Sequence, residues 1–355
     1  MAFPSDYALQ LFDRSPRRLR WTPERHAQIE SWSAEVRQRL ADLLKLDITP
    51  PPVPPVRILE QETLPDGIVR EKLVLDLPLP GGEVPAYLLR PARPIKPAAG
   101  ILCLHGHGGY FAGKDMVAGI TKNTHPIAVE CAEALNYGYG IQLAREGFVT
   151  LCPDAFNFGE RMPESQRWPE TDICGRWNTL LTIFGYHSMG LTLTGNFAAI
   201  SYLLSRPEVT LPTAGCVGLS FGGVQTMLTS ILDHRIGASV ISGALFSLRG
   251  ESLEENLPSC AAQSIPGMLD WFDFPDLAAS LVPRPALYEL MKRDGCFKFE
   301  QSHPLYETLA GIYAKRNASD RIALDVADTD HRYIGRLVPD FFRQHLTASN
   351  KGKPA

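Results

Sequence analysis

Gly215-Cys-Val-Gly-Leu-Ser-Phe-Gly-Gly223 places Ser220 at the centre of a Gly-x-Ser-x-Gly motif, between an apolar run and a run of helical character. The spacing is that of a nucleophile elbow. A strand ends in a turn so sharp that the serine backbone is strained, which lifts the hydroxyl clear of the sheet and sets it at a helix N-terminus. Gly218 and Gly222 leave room for the two arms of the turn. The motif alone recurs by chance, so its weight depends on what surrounds it.

Outward from the serine, Leu193, Phe197, Ile200 and Leu204 form a helical stripe just before the strand. Short apolar or β-branched runs predict strands at residues 68–77, 86–90, 100–105, 148–152, 216–219, 236–245, 285–291 and 321–326. The first two, split by the Gly81-Gly82 turn, open the sheet antiparallel. The later ones alternate with helical patterns, including 304–316 and 335–346. This implies a mostly parallel, eight-stranded, doubly wound α/β sheet, with ligands expected at the carboxyl ends of its strands. His105, Asp154 and Ser220 fall at such ends.

Residues 1–60 read as a helical extension, with Thr22 as N-cap, Pro23 at the first helical position, and Ile29, Trp32, Val36, Leu40 and Leu43 on one face. That stripe is expected to pack on the catalytic domain; a contact between two copies, making a homodimer, or a pocket wall are the alternatives. The proline-rich stretch 50–55 marks a boundary, leaving 61–350 as the main domain. Residues 155–186, with Trp168 and Trp177, and residues 246–280, with Trp271, break the alternation and read as insertions over the active edge.

Composition excludes several classes. The 355 residues are 45% hydrophobic and 21% charged, as in average globular proteins, and the net charge of -4 argues against nucleic acid as the main partner. No signal peptide or membrane span is indicated at the start, so a cytoplasmic location is expected. Of the seven cysteines, Cys103, Cys152 and Cys216 fall in predicted strands, where buried thiols are ordinary. No Cys/His ligand spacing appears, so neither a metal nor another cofactor is expected.

A serine hydroxyl needs a base, and the base needs an acid to fix its tautomer. In this fold the chain order is serine, acid, histidine. Asp294 follows the predicted strand 285–291, whereas the rival Glu289 lies within it. Among the later histidines, His303 opens a helix and His345 lies in one; His331 sits in the loop after the last strand, with Asp330 beside it as a loop residue. Stabilising the developing oxyanion calls for backbone N–H groups, expected from Phe221 and from His107 or Gly108 in the glycine-rich turn His105-Gly-His-Gly-Gly109. His105 is read as holding that loop. Glu160 and Arg161 read as an ion pair bracing their loop, with Arg161 as a substrate-carboxylate clamp in the alternative; Trp271 is a further substrate-binding candidate.

The segments His105-Gly-His-Gly-Gly109, Pro153-Asp-Ala-Phe-Asn-Phe-Gly-Glu-Arg161, Gly218-Leu-Ser-Phe-Gly-Gly223, Ile265-Pro-Gly-Met-Leu269 with Pro275-Asp-Leu277, and Pro283-Arg-Pro285 together resemble the α/β-hydrolases of the dienelactone hydrolase and acetyl xylan esterase-like group. The resemblance covers roughly residues 65–347 and implies Ser220 as nucleophile, Asp294 as acid and His331 as base. Relatives read Gly-x-x-Asp-x-x-Phe-Pro around the acid and Gly-Gly-His around the base, whereas this chain has Met291-Lys-Arg-Asp-Gly-Cys-Phe-Lys298 and Asp328-Thr-Asp-His331. The implied activity is cofactor-independent hydrolysis of a small or medium acyl ester through an acyl-enzyme. Cleavage of a C–C bond, lactone or amide uses the same machinery. A ligand-binding module without turnover would be favoured by loss of one of the three residues, and all three are present.

Overall fold

The computed structural model describes residues 4–93, 97–108, 112–120, 126–162, 173–254 and 260–347. Gly109, Trp168 and part of each insertion lie outside them. Nine strands form one sheet: β1 Val56–Thr63, β2 Ile68–Asp76, β3 Glu83–Pro91, β4 Gly100–Leu104, β5 Val149–Pro153, β6 Ala214–Leu219, β7 Ile236–Ser242, β8 Ala286–Met291 and β9 Ile322–Ala327. Their spatial order is β1-β2-β3-β5-β4-β6-β7-β8-β9. The pairs β1–β2, β2–β3 and β3–β5 are antiparallel, and every later pair is parallel.

β4, β5 and β6 are buried at every position, as continuous apolar runs covered on both faces must be. From β4 the chain goes to β5 on one side and to β6 on the other. That reversal opens a crevice at the carboxyl ends, where the loop after β4 and the turn after β6 face each other.

The sheet has one strand more than expected. β1 is exposed along nearly its whole length and carries Arg57, Glu60 and Glu62, so it has no apolar alternation to betray it. It is an edge strand held by backbone pairing to β2 and by the ion pairs Arg57–Asp76 and Glu62–Arg70 across the two strands, with charges that discourage further pairing. The sheet therefore begins at Val56, and the boundary drawn at residue 60 cuts a strand.

The extension is built into the main core. Thr22 and Pro23 open a 3-10 turn, Pro23–Gln28, and the α-helix proper runs Ile29–Leu44. Ile29, Trp32, Val36, Leu40 and Leu44 share a core with Val224, Met227, Leu228 and Ile231 of the helix Phe221–Leu232 that follows the serine. At roughly 1.5–3 kcal/mol per fully buried side chain, this face contributes on the order of 10 kcal/mol, comparable with the whole net stability of a domain. The stripe offered above as a contact between copies is thus covered by the chain itself. The guanidinium of Arg37 also donates to the Leu232 carbonyl at 2.8 and 3.1 Å, capping the far end of the same helix. No described helix is long and apolar enough to cross a membrane.

Candidate active site

β6 ends at Leu219, and Ser220 turns with φ +63° and ψ -125°, a left-handed conformation rare for a residue with a side chain. The helix Phe221–Leu232 starts at the next residue. Backbone packing makes glycine obligatory inside the turn: a Cβ on Gly222 would lie 2.1 Å from the Leu104 carbonyl oxygen. The Ser220 N–H donates to the Ser242 carbonyl at 2.9 Å, which ties the turn to the end of β7.

The other two residues meet because β8 and β9 are parallel neighbours with Met291 opposite Ala327. Their C-terminal turns leave the sheet side by side, Asp294 three residues past Met291 and His331 four past Ala327. Cross-turn backbone bonds Lys292 to Ala327 and Arg293 to Thr329 lock the pair of loops together. His331 Nδ1 lies 2.8 Å from Asp294 Oδ2. Asp294 Oδ1 accepts from the N–H groups of Cys296 and Phe297 at 2.7 and 2.9 Å, so the buried carboxylate has a fixed orientation.

Gly243 completes the arrangement, and nothing in the sequence marked it. It follows Ser242 with φ +50°, and a Cβ there would stand 3.0 Å from His331 Cε1 and 2.8 Å from the Met291 side chain. The imidazole therefore rests against the same strand end that holds the serine turn.

Ser220, Phe221, His107, Phe246, Glu251, Ser252, Cys260, Gln263, Gly295, Cys296 and Phe297 enclose a pocket of about 190 Å³. The Phe221 N–H, at the first helical position, has no partner among the described residues. His107 lines this pocket, whereas Gly108 does not, and the Gly108 backbone is engaged by the buried Tyr137 hydroxyl. The insertion 246–280 reaches the site: Glu251 and Ser252 arrive on a π-helical turn, Leu248–Glu254, and Cys260 and Gln263 on the stretch after it. Glu251 is buried, and its Oε1 accepts from the Lys298 N–H at 3.0 Å.

The loop after β4 is held as expected by His105. Its Nε2 accepts from the Ala155 N–H at 3.0 Å, and its Nδ1 is 2.8 Å from the Gly106 carbonyl, so Nδ1 carries the proton. Burial pushes its pKa down to about 4, keeping the ring neutral.

The three substrate-binding candidates lie elsewhere. Glu160 pairs with Lys72 and with the fully buried Lys114, at 2.8 and 2.7 Å, and Lys114 also pairs with Asp154 at 2.9 Å. Arg161 does not pair with Glu160; it donates to the carbonyls of Gly81 and Asp154 at 2.8 and 3.4 Å. Burial lowers its pKa to about 10. Trp271 lies under the guanidinium groups of Arg18 and Arg39, at 5.0 and 3.9 Å from its ring, on the side of the N-terminal extension. None of the three lines the pocket. Each lies near the active edge along the chain, but its side chain turns toward a structural partner.

Glu289, the rival acid, is fully buried inside β8, and its two oxygens accept from the N–H groups of Ile334 and Gly335 at 3.2 and 2.7 Å. It anchors the loop just after His331. Burial raises its pKa to about 7, against the lowering effect of those hydrogen bonds. The folded protein then keeps this proton where the unfolded chain has lost it, so its stabilising contribution is full below the ordinary glutamate value of about 4.3 and falls as pH rises through about 7. Urea unfolding should show the stability advantage of wild type over Glu289→Gln shrinking between pH 5 and pH 7.5, by about 1 kcal/mol or more. A constant difference would mean that Glu289 is ionised throughout. Asp330 pairs with Arg293 at the surface, and His303 with Glu307 at 3.8 Å; neither is drawn into the site.

The sequence also gave no sign that the fold assembles His107, Cys174 and Cys260, whose ligand atoms all lie within 4.8 Å of one another. Hydrogen bonds with Cys174 and His107 hold the Cys260 thiol below the ordinary cysteine range despite its burial. Cys103, Cys152 and Cys216 are buried and unpaired in disulfides, as read from their strands.

Comparison with known proteins bears on the family and the fold. The chain is 28% identical over 297 residues to the candidate hydrolase YtaP of Bacillus subtilis (strain 168), which spans 81% of this chain and 90% of that protein. Among solved structures, a candidate acetyl xylan esterase from Bacteroides fragilis NCTC 9343 superposes with a TM-score of 0.72 at 18% identity, covering 98% of this chain and 92% of that one. A glucuronoyl esterase from Solibacter usitatus gives a TM-score of 0.58 at 14% identity, covering 88% and 91%. These structural likenesses extend to the fold. A family model described as the Abhydrolase family matches residues 19–299, about four fifths of the sequence, including the elbow and Asp294, and the chain belongs to that α/β-hydrolase family.

Proposed function

We propose that the chain is a serine hydrolase that cleaves carboxylic esters of small acyl groups through an acyl-enzyme, with Ser220 as nucleophile, His331 as base and Asp294 as the orienting acid. The observation that carries this reading is the left-handed Ser220 turn tied to the end of β7, with the 2.8 Å His331–Asp294 pair resting on the next residue, Gly243.

His331 accepts the Ser220 proton as the hydroxyl attacks the ester carbonyl carbon. The oxyanion that forms is stabilised by the N–H groups of Phe221 and His107. The imidazolium then returns the proton to the leaving alcohol, and the same histidine draws a proton from water to release the acid. Asp294 holds Nδ1 protonated and stabilises the cation.

A volume of about 190 Å³ is well below the roughly 300–1,000 Å³ of pockets for drug-sized ligands, which favours a short acyl group over a lipid tail. The polar side chains of Glu251, Ser252 and Gln263 in its wall suit a hydroxyl-bearing alcohol. The names of the structural relatives, acetyl xylan esterase and glucuronoyl esterase, are consistent with esters of sugars.

The test is a panel of acetyl, butyryl and octanoyl esters, lactones, amides and β-diketones, assayed alongside labelling by a fluorophosphonate. Fastest turnover is expected on acetyl esters, with label on Ser220 found by mass spectrometry. Preference for octanoyl esters would refute the small acyl pocket; turnover confined to β-diketones, lactones or amides would refute ester hydrolysis. Tight ligand binding without labelling or turnover would reduce the site to a binding module.

A further inference from the structure

We infer that His107 Nε2, Cys174 Sγ and Cys260 Sγ form a binding site for a thiophilic divalent ion of the zinc class in the wall of the pocket. Cys260 Sγ lies 3.0 Å and Cys174 Sγ 3.7 Å from His107 Nε2. Bond lengths of about 2.3 Å for Zn–S and 2.0–2.1 Å for Zn–N set tetrahedral neighbours roughly 3.5–4 Å apart. The trio needs only an opening of the His107–Cys260 distance by several tenths of an ångström to admit the ion.

The three ligands come from three separate segments: the loop after β4, the start of the helix Ile173–Ile183, and the residue preceding the 3-10 turn Ala261–Gln263. An ion held by them fastens both insertions to the loop that carries an oxyanion donor. His107 and Cys260 line the pocket while Cys174 is buried, so the fourth position is left on the pocket side. Two sulfurs and one imidazole select zinc, cobalt or copper over magnesium and calcium, which prefer oxygen. In the bound state Cys174 and Cys260 are thiolates, any protons on the two sulfurs or on Nε2 pass to solvent, and the neutral imidazole donates the Nε2 lone pair.

A second trio, Asp294, Cys296 and His331, also lies close enough to share an ion, and the test must separate the two. The full chain, reduced and stripped with a chelator, is titrated anaerobically with Co2+. One equivalent should give a thiolate-to-cobalt charge-transfer band with the visible bands of a tetrahedral ion, and Zn2+ should bleach both. Cys174→Ser and Cys260→Ser should each weaken binding by ~10-fold or more and reduce the charge-transfer intensity. Cys296→Ala should keep the full spectrum, as should Ser220→Ala, because the site does not depend on the ester chemistry. Zn2+ should raise the melting temperature of wild type but not of the two serine variants. If Cys174→Ser does not fold, Cys260→Ser, at a half-buried position, carries the test. Absence of a thiolate band in wild type, an undiminished band and affinity in Cys260→Ser, or loss of the band in Cys296→Ala would overturn the assignment.

Discussion

Ser220→Ala should lower kcat/KM for a small activated acetyl ester by about 10⁵-fold or more, leaving at most the ~10³-fold advantage over water that oxyanion donors and binding retain. The loss should be in kcat, because the hydroxyl makes its essential interaction only as the bond to the acyl carbon forms. Fold stability should change little, since alanine keeps the Cβ of the left-handed turn and the backbone bond to Ser242. The measurement is steady-state kinetics with a single-turnover check for residual wild-type enzyme. A loss below about 100-fold, with the variant folded, would place the nucleophile elsewhere; in that case Cys260 and Cys296, the two thiols in the pocket wall, would be the residues to examine.

Asp294→Asn should lower kcat by about 10⁴-fold with KM nearly unchanged, and the structure explains why the amide cannot compensate. Asp294 Oδ1 accepts two backbone N–H bonds, from Cys296 and Phe297. An asparagine will place its carbonyl oxygen there, because an NH2 group facing two donors would leave all of them unsatisfied. Its NH2 then points at His331 Nδ1 in place of Oδ2. The imidazole must offer a lone pair at Nδ1 and carry its proton on Nε2, the nitrogen that has to be bare to accept the serine proton. His345→Ala, by contrast, should keep full activity. A kcat within about tenfold of wild type in Asp294→Asn would remove Asp294 from the role and turn the search to Glu251, the carboxylate in the pocket lining.

That Asp294 rather than Glu289 meets His331 rather than His303 or His345 was legible because it depends on chain order and on position past a strand end. Both are local properties: a residue just beyond the last apolar position of a parallel strand emerges at the carboxyl edge whatever the rest of the chain does. Gly243 was not legible for the opposite reason. Its glycine is required by the His331 ring and the Met291 side chain, which come from distant parts of the chain. Glu160, Arg161 and Trp271 show the same limit from the other side. They fall within the two insertions in the chain, but the partners that turn their side chains away from the pocket, Lys72 and Lys114, the Gly81 carbonyl, and Arg18 and Arg39, belong to separate segments.

By itself the sequence determined the alternation of buried strands and helices, the strained Gly-x-Ser-x-Gly turn and the order Ser220, Asp294, His331, because apolar periodicity and turn stereochemistry act over a few residues. Only the tertiary structure decided that β1 adds a ninth strand at the sheet edge, that the N-terminal stripe is consumed in the core behind the serine helix, and that His107, Cys174 and Cys260 converge beside the pocket. The last two depend on contacts between segments far apart in the chain, which leave no spacing in the sequence to read, whereas β1 pairs with its chain neighbour β2 but has no buried face to give it an apolar alternation.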